Sequence, residues 1–265
     1  MPRVVWVDGK LQPRDAPALR ADDSAYTEGR GCYTSARVSD GHVQFEARHV
    51  KRLVLAAREL RLGELDPQRV RAALRELAAG AFGRGEGVVR VSASRDGDGA
   101  LHLVGVPRPL GEEPAAWSAA IIALRHSAEG LEKGLKVTSR LAMALAGDEG
   151  RERGVDETLL LDASGHLVEG ARSNIVVVPE SGAPATPPLS AGAVAGVARG
   201  IALERVQEIL ERRIAEPELR SANEIIALNA VRGARPIVSL DGAPVGDGRA
   251  GPWAARLQAA LDADS

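Results

Sequence analysis

At 265 residues the chain can form one large domain or two small ones, each able to bury its own core. Its 45% apolar and 26% charged content is that of an ordinary globular protein, and a net charge of −2 gives no electrostatic footing for nucleic acid or an anionic membrane surface. The single cysteine, Cys32, excludes an internal disulfide and suits a reducing compartment. With no apolar leader after Met1 and no apolar run of about 18 residues, the expectation is a cytoplasmic protein that spans no membrane.

Val4 to Val7 is β-branched and aromatic, stops at Asp8-Gly9, and reads as a strand and turn. Cys32 to Val38 and His42 to Phe45 flank Ser39-Asp40-Gly41, a hairpin signal because glycine supplies the positive φ such a turn needs. Val50, Leu53, Val54 and Leu60 recur at helical spacing, predicting a helix from about Arg48 to Leu62 ended by Gly63. Asp66-Pro67 opens a second helix, with aspartate as cap and proline in the first turn. Strands over Gly87 to Ser94 and Leu101 to Val106 flank Asp96-Gly97-Asp98-Gly99.

Pro107 to Pro114 is rich in Pro, Gly and Glu and reads as a linker. Beyond it come a strand at Ala119 to Leu124, a helix at Leu141 to Arg153, and strands at Thr158 to Asp162 and His166 to Val168 around Ala163-Ser164-Gly165. Ser173 to Val178 reads as another strand and Gly196 to Leu210 as a helix. The expected organisation is α+β in two halves, 1–107 and 118–265, joined by a linker at 108–117.

Several chemistries lack their motifs. There is no G-x-S-x-G, H-E-x-x-H or G-x-x-x-x-G-K-[ST], and His42, His49, His102, His126 and His166 have no metal-ligand spacing, so no metal is expected. Cys32, a lone cysteine between apolar neighbours on a strand, reads as core.

The lysines are more telling. Of 34 basic residues only Lys10, Lys51, Lys133 and Lys136 are lysines. Arginine keeps its proton and cannot condense with a carbonyl, so amine chemistry in this chain must use one of these four. Lys136, in Gly134-Leu135-Lys136-Val137-Thr138-Ser139-Arg140-Leu141, lies 33 residues before Glu169-Gly170-Ala171-Arg172-Ser173-Asn174.

At Lys136, Glu169 and Asn174 the sequence resembles the class IV, fold-type IV pyridoxal phosphate enzymes, which include branched-chain and D-amino-acid aminotransferases and aminodeoxychorismate lyase. The resemblance takes in Gly29 to Val38, Arg48-His49-Val50-Lys51-Arg52-Leu53, Asp156-Glu157-Thr158, Thr186 to Ser190, Ala191 to Arg199 and Asn229 to Gly233. It implies a small N-terminal and a larger C-terminal α/β domain with pyridoxal 5'-phosphate between them, a small-molecule substrate, and a homodimer. Lys136 would bond the cofactor's aldehyde and shuttle the substrate's proton; Glu169 would keep the pyridine nitrogen protonated. Arg52 would grip the phosphate, and Gly196-Val197-Ala198 would open a helix whose N–H groups face it. Asn174 and Ala230 complete the implied cofactor set, although Ala198 and Ala230 stand where many aminotransferases carry threonine.

Within that family the segment Cys32-Tyr33-Thr34-Ser35-Ala36-Arg37-Val38 looks most like aminodeoxychorismate lyase, with Thr34 where many transaminases have glutamate. Arg140-Leu141 and Asn229-Ala230 point the same way, whereas Glu28 does not. The expectation is a lyase releasing pyruvate and p-aminobenzoate, with Thr34 donating near the leaving group and Arg37, Arg140 and Arg232 binding substrate carboxylates. The alternative is an aminotransferase for D- or branched-chain amino acids, marked by a need for a 2-oxo acid acceptor. A non-catalytic binding protein is a third reading, which the Lys136 and Glu169 pair argues against.

Overall fold

The computed structural model describes residues 2–125 and 133–264. The chain divides into two compact units, Met1–Glu112 with Leu135–Ser139, and Glu113–Gly134 with Arg140–Ser265. Helix and strand are mixed in both, so the fold is α+β in two domains. His126 lies outside the described residues.

The first unit contains β1 (Val4–Val7), β2 (Lys10–Pro13), α1 (Ser24–Thr27), β3 (Cys32–Ser39), β4 (His42–Val43), α2 (Glu46–Glu59), α3 (Pro67–Phe82), β5 (Gly87–Arg95) and β6 (Leu101–Arg108). Its sheet runs β2-β1-β6-β5-β3-β4 with every pair antiparallel. The β3–β4 hairpin turns at Asp40 and Gly41, at φ 48° and 77°, the left-handed pair that a two-residue turn demands. Helix α3 starts as the sequence predicts, with the Asp66 carboxylate accepting from Gln68 N at 2.8 Å and Pro67 in the first turn.

Helices α2 and α3 bury Val50, Leu53, Ala56, Leu74 and Leu77 against Cys32, Ala36, Val38, Val89, Val91 and Leu103 of the sheet. Side chains alternate along a strand, so Thr34 falls on this same helix-covered face of β3. Helix α2 ends earlier than predicted. Its cap is Leu60, and Arg61 takes the left-handed position (φ 54°) that the sequence assigns to Gly63. The Leu62 N–H then bonds Ala57 C=O at 2.9 Å and turns Leu62 into the core.

Leu135–Ser139 belongs to the first unit although the sequence places it in the second half. Val137 pairs with Cys32 as an antiparallel bridge, the Tyr33 N–H bonds Lys136 C=O at 2.9 Å, and the Thr138 N–H bonds Gly31 C=O at 2.8 Å. The segment therefore satisfies the edge of β3 opposite β5. The expected 108–117 linker is shortened at its start, since β6 runs through Arg108 and the division falls after Glu112.

The second unit contains β7 (Trp117–Arg125), α4 (Leu141–Arg153), β8 (Glu157–Leu161), β9 (Leu167–Gly170), β10 (Asn174–Val178), β11 (Ala185–Thr186), α5 (Val197–Arg205), β12 (Leu210–Glu211), α6 (Glu216–Arg220), β13 (Glu224–Asn229), β14 (Gly233–Leu240), β15 (Ala243–Pro244) and α7 (Pro252–Asp262). Its sheet order is β12-β11-β10-β13-β14-β7-β8-β9, with β15 on β14. Parallel pairing of β7 with β8 and with β14 requires covered faces, and β8, β9 and β10 are buried along their length. Leu159 and Leu161 pack with Trp117, Ile175 and Val177 on one side; Leu160 packs with Ile122, Ala146 and Ala171 on the other. Helix α5 stops at Arg205 rather than Leu210, because Leu210 is drawn into the sheet: its N–H bonds Pro184 C=O at 2.9 Å and β12 pairs with β11.

Leu53 has no exposed surface and joins α2 to β3. Leu53→Ala should lower the unfolding free energy by about 2–5 kcal/mol, measured by urea denaturation; a loss below 1 kcal/mol would show that this contact is not part of the first unit's core.

Candidate active site

In the first unit the pairing of Val137 with Cys32 sets the position of Lys136. That pairing, with the Tyr33 N–H on the Lys136 carbonyl, brings Lys136 beside Tyr33. Its Nζ lies 5.0 Å from the centroid of the Tyr33 ring, and the guanidinium of Arg90 lies 3.7 Å from that centroid. Tyr33 is thereby held by two cations and a strand hydrogen bond. Thr138 Oγ1 bonds Gly29 C=O at 2.9 Å and closes the segment onto the loop before β3.

On the face of β3 opposite Tyr33, Thr34 is fully buried and needs hydrogen-bond partners. They come from α2, where His49 and Arg52 are three residues apart and share one side of the helix. Thr34 Oγ1 lies 2.7 Å from His49 Nδ1 and accepts from Arg52 Nη2 at 2.6 Å. Arg52 Nη2 is also 3.4 Å from His49 Nδ1. Arg52 Nε and His49 Nε2 are buried without a hydrogen-bond partner. Burial lowers the Arg52 pKa to about 10. Burial, with the charges of Arg52 and Lys136, holds the His49 imidazole well below its ordinary range, so it is neutral. Burial pushes the Cys32 thiol up to about 12, consistent with an inert core residue.

In the second unit the turn before α5 is braced from three sides. The Glu169 carboxylate accepts from Val194 N at 3.0 Å, Asn174 Nδ2 donates to Val194 C=O at 2.9 Å, and Ala195 N donates to Gly134 C=O at 2.9 Å. Gly196 then caps α5 with no side-chain bond to its first turn, leaving the N–H groups of Val197 and Ala198 at the helix start. A Cβ at Gly196 would fall on Asn174 Oδ1, so only glycine fits against the asparagine. Glu169 is buried near the end of β9.

A second polar chain supports the loop after β13. Asn229 Oδ1 accepts from the N–H groups of Val231 and Arg232 at 3.0 and 2.8 Å, and Asn229 Nδ2 donates to Ser173 Oγ at 3.2 Å. Ser173 in turn bonds Glu157, whose buried carboxyl is pushed up to about 7 chiefly by desolvation. Ala230 lies in the loop that Asn229 fixes.

The expected substrate arginines differ in their surroundings. Arg37 Nη2 donates to Glu86 at 3.1 Å while its Nε is buried without a partner. Arg232 Nε sits 3.1 Å from Glu113, which also pairs with Arg172 at 2.8 Å, so its charge is only partly offset. Arg140 is half-buried at the start of α4 and accepts the Ala144 N–H through its carbonyl. Tyr33, His49, Arg90, Glu157 and Asn229 carry structural weight that sequence reasoning does not assign to them. For Arg90 the signal is available, an arginine two residues from Ser92 in the row opposite Tyr33. Among the described residues no group of three or more His, Cys, Asp or Glu is placed to hold a metal.

A family model described as amino-transferase class IV matches residues 31–240. The chain belongs to this family. The branched-chain-amino-acid aminotransferase of Escherichia coli K12 is 34% identical over 125 residues, 46% of this chain and 40% of that relative. The match thus spans about two-fifths of the length of such curated relatives. A putative branched-chain-amino-acid aminotransferase of Methanocaldococcus jannaschii is 23% identical over 271 residues, 96% of this chain and 93% of its own. Among solved structures, the branched-chain aminotransferase of Thermoproteus uzoniensis with norvaline has a TM-score of 0.87 at 22% identity, covering 99% and 94% of the two chains. A fold IV-transaminase from Curtobacterium pusillum has a TM-score of 0.84 at 26% identity, covering 99% of each.

The class IV aminotransferase residues present here fit a phosphorylated pyridoxal. Arg52 is a cation with a buried, unpartnered Nε, and no carboxylate among the described residues pairs with it. An uncapped helix start at Val197 and Ala198 suits an anion, and a buried carboxylate at Glu169 suits a protonated ring nitrogen. Together they carry the charges a phosphate and a pyridinium require.

The Glu157 network predicts a pH signature. In the folded protein Glu157 titrates near 7, against an ordinary 4.5. The folded state therefore holds the proton more tightly, and stability declines as pH rises from about 4.5 through 7. Glu157→Gln removes that decline, so its stability relative to the parent should grow over this window by a few kcal/mol and then level off. Denaturation midpoints from pH 5 to 8 measure it, and a difference independent of pH would refute the assignment.

Proposed function

We propose that this protein is a pyridoxal phosphate-dependent aminotransferase that moves an amino group from a branched-chain or D-amino acid to a 2-oxo acid. The observation that carries the reading is the family match across residues 31–240, which contains Lys136, Glu169 and Arg52 in settings suited to their roles. The cofactor is pyridoxal 5'-phosphate, which supplies an aldehyde that captures amines and a ring that accepts the electron pair left when a Cα proton departs.

The chain's own groups do the rest. Lys136 Nζ is the only amine in this site segment and is the base that takes and returns the proton at the substrate carbon. Main-chain bonds at 136 and 138 hold its backbone, and the Tyr33 ring flanks its ammonium. Glu169 holds a proton at the ring nitrogen, and its bond to Val194 N keeps the carboxylate in place. Arg52 and the N–H groups of Val197 and Ala198 bind the phosphate, with Asn174 shaping the turn that presents them. Arg37, Arg140 and Arg232 serve substrate carboxylates, Arg232 with its charge already partly spent on Glu113.

The lyase is the second reading. It draws support from Cys32 to Val38, whose sequence resembles aminodeoxychorismate lyase. The geometry of Thr34 weighs against it: the hydroxyl that was to serve the leaving group is fully buried and engaged by Arg52 and His49. The relatives described above are named aminotransferases, and homodimer assembly rests on resemblance alone.

An amino-donor panel with 2-oxoglutarate as acceptor tests the assignment. Acceptor-dependent turnover of branched-chain or D-amino acids, abolished by at least a thousandfold in Lys136→Ala, is expected. Release of p-aminobenzoate and pyruvate from aminodeoxychorismate without acceptor, with no transamination of any donor, would reverse the order of the two readings.

A further inference from the structure

Thr34 and His49 are buried polar side chains of the first unit that the proposed reaction leaves unused, and both face Arg52. Their hydrogen-bond donors and acceptors can be assigned from chemistry alone. Arginine only donates, so Thr34 Oγ1 accepts from Arg52 Nη2 at 2.6 Å. The threonine hydroxyl still carries a proton, and its other close neighbour is His49 Nδ1 at 2.7 Å. Arg52 Nη2 also faces that nitrogen at 3.4 Å, and a donor facing Nδ1 requires a lone pair there. With Nδ1 accepting, the neutral His49 imidazole carries its proton on Nε2, which is also buried without a partner. The chain of bonds runs Arg52 to Thr34 to His49 and uses one edge of the guanidinium. The Nε of Arg52, buried and without a partner, is left over.

We propose that Thr34 and His49 are positioning residues for the cofactor's phosphate: His49 orients the Thr34 hydroxyl, which holds the Arg52 guanidinium so that its Nε–H meets a phosphate oxygen. This rests on the reading of Arg52 as the phosphate-binding cation. Arginine has a long side chain whose immobilisation costs entropy, and a buried acceptor fixed on β3 offsets that cost before the ligand arrives. Thr34 lies on the helix-covered face because it shares the register of Cys32, Ala36 and Val38, and α2 delivers His49 and Arg52 to it at i and i+3. Threonine at this position thus serves cofactor retention and not the substrate's leaving group.

The test is titration of the cofactor-free protein with pyridoxal 5'-phosphate and, separately, with pyridoxal, followed by absorbance. Thr34→Val keeps the shape and removes the hydroxyl. It should weaken pyridoxal phosphate binding by on the order of tenfold, the equivalent of one hydrogen bond, and leave pyridoxal binding unchanged. His49→Leu should do the same, while His49→Asn, which retains an acceptor near the Nδ1 position, should restore most of the affinity. Circular dichroism and the urea midpoint identify any variant that fails to fold, and the His49→Asn and His49→Leu pair then decides the matter. Equal loss for pyridoxal and its phosphate, or no loss in Thr34→Val, overturns the proposal. Intact affinity with a fall in kcat alone also overturns it and returns Thr34 to the substrate. Arg52→Met separates the two layers: if it leaves pyridoxal phosphate affinity intact, the reading of Arg52 itself fails, whereas loss in Arg52→Met with none in Thr34→Val removes only the positioning role.

Discussion

The hydrogen bonds that join residues 136–138 to the start of β3 are the constraint on which the rest depends. An exposed strand edge needs partners for its N–H and C=O groups, and Gly31 to Tyr33 find them in a segment more than a hundred residues later in the chain. The register of that pairing puts Lys136 beside Tyr33, with its Nζ 5.0 Å from the ring centroid, and a shift of one residue would move the amine away from that neighbour. The same strand, by the alternation of its side chains, directs Thr34 toward α2. One strand therefore organises both the lysine's surroundings and the polar cluster around Arg52.

The charges around Arg52 suit a bound anion. Arg52 and Lys136 both press on the pKa of His49, and Arg52 keeps a buried N–H group that no residue satisfies. Unpaired buried donors are expensive, and proteins retain them where something binds. In the second unit Glu169 is buried with a carboxylate oxygen on Val194 N, and the first turn of α5 has no side-chain cap. Arg232 and Arg172 share the one carboxylate of Glu113, and Arg37 pairs with Glu86, so each of these cations has an acidic neighbour that Arg52 lacks among the described residues.

Local signals were readable where a short stretch of sequence carries the whole cause. Asp66-Pro67 starts α3 because cap and φ restriction act within a few residues, and Asp40-Gly41 turns the hairpin for the same reason. Helix α4 spans Leu141–Arg153 and closes at Gly154, as predicted. The ends of α2 and α5 were misjudged because Leu62 and Leu210 are claimed by distant partners. Past Leu210 the signals thin. Pro236 sits within β14, where a proline argues against a strand, and it is tolerated because pairing with β7 begins only at Ile237.

The sequence by itself determined the family and the cofactor, and it singled out the three residues proposed for the chemistry: an amine at Lys136, a carboxylate at Glu169 and a guanidinium at Arg52. Such identities depend on functional groups, which a sequence states directly. What only the tertiary structure decided is which neighbours those groups have. Thr34 reads from its motif as a substrate residue, yet its hydroxyl is bound to Arg52 and His49, 18 and 15 residues away. Leu135–Ser139 reads as part of the second half, yet it is bonded to the first. Each difference has one physical origin: a buried polar group takes its partner from whatever the fold brings near, and that proximity is not written in local sequence.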